Sequence, residues 1–174
     1  IKTSYGRCGE ESTFTVTAMR AVGIPARQCY TPRWAHTDSN HAWVEVWIDG
    51  TWYYLGACEP DARLDMGWFS FPSTRAMMVH SNAFGKYKGT EEVNHQTNLF
   101  SRVNMLGNYT EAKKVTVNVI DEVGKPVPDA VVDFKLYNYA EYYPIVTRTT
   151  DSQGVAFASV GKGDLLIWAA KDDA

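Results

Sequence analysis

No stretch of the 174 residues approaches the roughly 18 consecutive apolar residues that a bilayer-spanning helix needs, so no membrane span is expected in this chain. Basic residues are not in excess: 17 Lys and Arg stand against 20 Asp and Glu, for a net charge of −3. No Lys/Arg run interleaves with aromatics, and both facts argue against nucleic acid as a partner. Cysteine is scarce. Cys8, Cys29 and Cys58 are an odd number without paired spacing, which argues against a disulfide framework and leaves at least one thiol free. The four histidines include no pair at a metal-binding spacing such as i and i+4 on a helix. No metal and no cofactor is expected. A leading methionine and a charged, then apolar, targeting segment are also lacking, so the chain is expected to be part of a larger multidomain protein.

What is present is an ordinary globular composition, 45% apolar and 21% charged, enough for one domain or two small ones. Phe14, Ala18 and Val22 recur at intervals of four with Met19 beside them, predicting a helix over 10–22 with that stripe buried. Gly23 and Pro25 end it. A short strand over 26–30 and a polar loop over 31–40 follow. HAWVEVWIDGTWYYLGA then holds two β-rich runs around Asp49-Gly50, the signature of a hairpin with a primed turn. Residues 61–110 show little pattern beyond a short helix around Ser73 to Val79. From Lys113 the grammar changes to short alternating strands separated by DEVGKPVPDA, DSQG and GKG, as in an antiparallel sandwich, though an immunoglobulin-type domain needs about 100 residues. The boundary is placed between 1–110 and 111–174.

One constellation carries chemistry. Cys8 lies between Gly6 and Gly9 at the start of the predicted helix, where unpaired N–H groups and the positive end of the macrodipole favour a thiolate. A thiolate nucleophile needs a base within hydrogen-bond reach, and His41 opens the first hairpin strand. Counting outward from Asp49-Gly50 places His41 opposite Cys58, on the face of Trp43, Glu45, Trp47, Trp52, Tyr54 and Gly56.

The segments GRCGEES, MRAVGIPAR, NHAWVEVW and TWYYL, spanning about residues 5–60, resemble the core of the transglutaminase-like superfamily. The resemblance implies an α+β fold, a papain-like core with a helix packed on an antiparallel sheet, and a Cys-His-Asp arrangement. Cys8 then corresponds to the nucleophile and His41 to the general base, with acyl transfer through a thioester on Cys8. The pattern departs at the third member: the family's Asp falls four residues after the second-strand tryptophan, and here Gly56 follows Trp52 at that distance. Glu59, just before Pro60, is the nearest carboxylate and reaches His41 only if the strand shifts or bulges. A Glu-based triad, a Cys-His dyad and a degenerate site all remain open. Residues 111–174, through VTVNVIDEVGKPVPDA, TDSQGVAFASV and GDLLIWAA, resemble the transthyretin-like or carboxypeptidase-regulatory-like modules, and so a small all-β, Ig-like sandwich is expected there.

Blander readings stand beside these. Cys29 is expected in the core, and Cys58 more in the core than in the site, although Cys8, His41 and Cys58 make a three-ligand alternative if the register holds. His36, His80 and His95 are expected on the surface, the hairpin aromatics in the core, and Trp34 as a cleft wall. The reading is a cysteine-dependent acyl transfer on a protein or peptide amide, with Cys8, His41 and Glu59 catalytic and Trp34 and Cys58 along the cleft. Hydrolysis is favoured over cross-linking. The alternatives are a non-catalytic peptide- or glycan-binding module and a peptide:N-glycanase-like amidase. The setting expected is an extracytoplasmic bacterial protein, periplasmic or at the cell surface.

Overall fold

The computed structural model describes residues 5–171. Helix α1, Cys8–Ala21, is followed by strands β1 Ala26–Thr31, β2 His41–Ile48 and β3 Thr51–Leu55. After the single turn α2 at Ser70–Ser73 come β4 His80–Phe84, β5 Val93–Gln96 and β6 Phe100–Asn104. These six strands form one antiparallel sheet in the order β3-β2-β1-β4-β6-β5, and α1 packs on β1 and β2.

The hairpin forms as its sequence predicts. Asp49 and Gly50 take φ of 47° and 85°, the left-handed pair of a type I′ turn, and Trp47 faces Trp52 while Ile48 faces Thr51. Pairing stops at Val44 and Leu55, so His41 is not opposite Cys58. Its strand partner is Thr31.

The expected α+β, papain-like fold is overturned. Strand makes up 42% of the chain and helix 13%, and α1 is the only helix longer than one turn among the described residues. Residues 61–110, which sequence pattern left unassigned, build half of the large sheet, and the helix expected around Ser73–Val79 is reduced to α2. The buried stripe of α1 also differs. Ser12 and Val16 face inward, whereas Phe14 and Val22 are exposed. Gln28 of β1 donates to the Gly9 carbonyl and the Ser12 hydroxyl, and only small residues on the inner face allow that close approach.

The remaining strands are β7 Lys113–Asn118, β8 Val131–Asn138, β9 Glu141–Thr149, β10 Val155–Val160 and β11 Leu166–Ala170. They form two small sheets, β10-β7 and β11-β8-β9, that share one apolar cluster around Val132, Phe134, Ile145, Ala158 and Val160, an arrangement compatible with a β-sandwich. Met77 and Met78 reach into the same cluster from the first part of the chain. The seam is also polar: the Asn138 amide donates to the carbonyls of Trp34 and Thr37 at 2.7 and 2.8 Å, and Arg148 binds Glu92 and Asn94. No described helix is long and apolar enough to cross a membrane.

Candidate active site

Cys8 is the first residue of α1, half-buried, after the extended Arg7. Glu10 folds back to accept the Arg7 N–H at 2.9 Å, and that bond holds its carboxyl below the ordinary range. With Gln28 bonded to the same turn, the thiol sits on a fixed platform. Cys8 lines a cleft of about 470 Å³ together with His41, Tyr30, Arg33, Asn82 and Tyr143. A second cleft of about 270 Å³, beside Arg20, Trp52 and Met105, includes neither Cys8 nor His41.

His41 is buried at the first position of β2, its ring against Trp43, Trp68 and Phe69, with centroids 5.9, 4.6 and 5.0 Å away. Burial holds its pKa below the ordinary 6.5, with the Glu59 carboxylate pulling the other way. Nε2 is buried without a hydrogen bond, and Glu59 Oε1 stands 3.6 Å from it. This is an electrostatic pairing just outside hydrogen-bond reach.

Glu59 gets there because β3 ends at Leu55 and the chain turns back at Gly56. A Cβ on Gly56 would stand 2.9 Å from the Glu59 carbonyl oxygen and 3.4 Å from Glu59 Oε1. Only glycine leaves that space, and the carboxylate from position 59 lies beside the place a side chain at 56 would occupy. The alternation that aims Glu59 away from His41 applies to an extended strand, which this segment is not.

Trp34 is 1% exposed and packs in the core with Trp43 and Phe69, so it is no wall of this cleft. Cys58, expected in the core, is exposed instead. Partial burial of its sulfur, a hydrogen bond to Glu11 and the nearby Glu59 charge push its thiol up to about 12. Cys29 is fully buried, and burial raises its thiol well above the ordinary range. His36 and His95 are exposed, but His80, also expected on the surface, is buried at the seam, bonded to the Ile145 carbonyl at 3.1 Å. Among the described residues no group of three or more His, Cys, Asp or Glu side chains is placed to hold a metal ion.

Residues 1–57 match the transglutaminase-like superfamily. The match takes in Cys8 and His41 and ends before Glu59. No curated protein matches the chain. Three residues around the site escaped the sequence reading. Trp68 lies in a stretch without periodicity, and Arg33 and Tyr143 are brought together from distant parts of the chain, the guanidinium 4.1 Å from the ring.

Proposed function

We propose that this chain carries out cysteine-dependent acyl transfer on an amide, with Cys8 as nucleophile, His41 as proton carrier and Glu59 as the group that orients His41. The observation that carries this reading is the shared cleft: Cys8 and His41 line it together, and Glu59 stands on Nε2, the buried side of the imidazole. No hydrogen bond among the described residues engages the other ring nitrogen, Nδ1, to which we assign the proton exchange with Cys8.

The Cys8 thiolate attacks the amide carbonyl carbon, and the carbonyl π electrons move to oxygen. Collapse of that adduct breaks the C–N bond as the His41 imidazolium gives its proton to the departing nitrogen, leaving a thioester and a free amine or ammonia. Water or a second amine then gives up a proton to His41 and displaces Cys8, forming an acid or a new amide. Burial lowers the His41 pKa, which keeps the resting imidazole neutral and ready to take up a proton, and an imidazolium formed there is ready to give it back.

Glutamine-containing peptides with hydroxylamine test this, since acyl transfer converts the carboxamide to a hydroxamate with loss of ammonia. Cys8-dependent hydroxamate or hydrolysis products support the reading. A protein that yields neither, yet retains peptide in both the parent and Cys8→Ala, is instead a binding module. The exposure of the Glu59 side chain, 42%, is the feature that favours this second reading.

A further inference from the structure

Trp68 has one polar atom, the indole N–H, which can only donate. It donates to Glu59 Oε1 at 2.8 Å, the same oxygen that stands 3.6 Å from His41 Nε2. The indole ring lies 4.6 Å from the imidazole, tilted by 54°. Trp68 itself is 55% exposed, whereas Trp43 and Phe69, the other aromatics around His41, are fully buried. It therefore covers the imidazole from the solvent side.

The segment carrying Trp68 is anchored on both flanks to one residue of β3. The Tyr54 N–H donates to Asp65 Oδ1 at 2.9 Å, and the Tyr54 hydroxyl contacts the Asp65 carbonyl at 2.7 Å and the Ser70 hydroxyl at 2.8 Å. Among the described residues Glu59 has no comparable anchor: its side chain bonds or pairs only with the Trp68 indole and the His41 ring. Its side chain is partly exposed on a turn, where a flexible carboxylate spreads over several rotamers and loses entropy when fixed. A donor on a rigid support removes that freedom. A ring over the pair also displaces water, and the attraction between carboxylate and imidazolium grows as the local dielectric falls.

We infer that Trp68 is a positioning residue, fixing the Glu59 carboxylate against His41 and shielding the pair. This rests on the assignment of Cys8, His41 and Glu59 proposed above. It accounts for how a carboxylate three residues beyond Gly56 can serve the site at all.

The test uses the whole chain and reads Cys8 alkylation by iodoacetamide at pH 6, with thermal melting alongside. Trp68→Phe keeps a ring and removes the donor; Trp68→Ala removes both. Trp68→Phe is expected to melt with the parent and to alkylate about fivefold more slowly, the size of one hydrogen bond to a charged group at a partly exposed site. Trp68→Ala is expected to be slower still. In a Glu59→Gln background Trp68→Phe is expected to add nothing. Parent-like alkylation in Trp68→Phe, or an equal loss in the Glu59→Gln background, overturns the inference while leaving the acyl-transfer reading in place. A parent rate indifferent to His41→Ala overturns both.

Discussion

Glu59 Oε1 lies 3.6 Å from Nε2 of His41, although seventeen residues of hairpin and turn, 42–58, lie between the two in sequence. The approach depends on the turn at Gly56, where the backbone of Glu59 passes too close for any Cβ. The side chain at 56 and the carboxylate of Glu59 compete for one space.

Introducing an aspartate at position 56 is therefore expected to harm the site. Gly56→Asp and Gly56→Ala both force the Glu59 carbonyl outward, so each should slow Cys8 alkylation at pH 6 about as much as Glu59→Gln, roughly tenfold. Alkylation rates of the three variants check this, and a Gly56→Asp variant faster than the parent contradicts it.

His80 gives the fold a pH limit. Burial and the charges of Arg102 and Arg148 push its pKa down from 6.5 to about 4, against the opposing bond to the Ile145 carbonyl. Above pH 6.5 the ring is neutral whether the chain is folded or not, and it contributes no pH dependence. Below 6.5 the unfolded chain takes up a proton that the folded one refuses, so stability is lost progressively until about pH 4. The loss amounts to about 3 kcal/mol. His41, also shifted down, acts in the same direction. Denaturation midpoints from pH 7 to 4 should fall steeply in the parent and less in His80→Gln.

The core of the large sheet contains a buried charge. Glu45 accepts from the Tyr109 hydroxyl and the Asn108 amide at 2.5 and 3.1 Å and pairs with Arg27 at 2.5 Å, while the Trp43 indole donates to the Tyr109 hydroxyl. Removing Arg27 strands a buried carboxylate, so Arg27→Ala should cost about 3–5 kcal/mol. Arg27→Met with Glu45→Leu should cost much less. Urea denaturation of the two proteins separates them.

The hairpin, the helix that opens at Cys8 and the strand that opens at His41 are legible because their signals are local: a glycine-flanked cysteine at a helix start, and an Asp-Gly turn between β-rich runs. Periodicity points to the wrong face of α1 because an apolar stripe of Phe14 and Val22 outranks Ser12 in any periodicity count, yet Ser12 faces inward, where it meets Gln28. The papain-like α+β expectation failed over 61–110, where short strands with polar faces such as HSNAF and VNHQ carry little alternation. The sequence points to a surface position for His80 because nothing in its neighbourhood announces Ile145, 65 residues away. Glu59 was readable as the nearest carboxylate, but its route past Gly56 and its tie to Trp68 are properties of the turn that strand alternation does not describe.

Acyl transfer by this chain requires Cys8 and His41 to work as a pair. Site-resolved iodoacetamide labelling at pH 6, read by peptide mass spectrometry in the parent and in His41→Ala, tests it most directly. Cys58, with its thiol pushed up to about 12, and the buried Cys29 serve as slow internal references. Cys8 is expected to be labelled first in the parent and at least tenfold more slowly in His41→Ala. Equal Cys8 rates in the two proteins would contradict it.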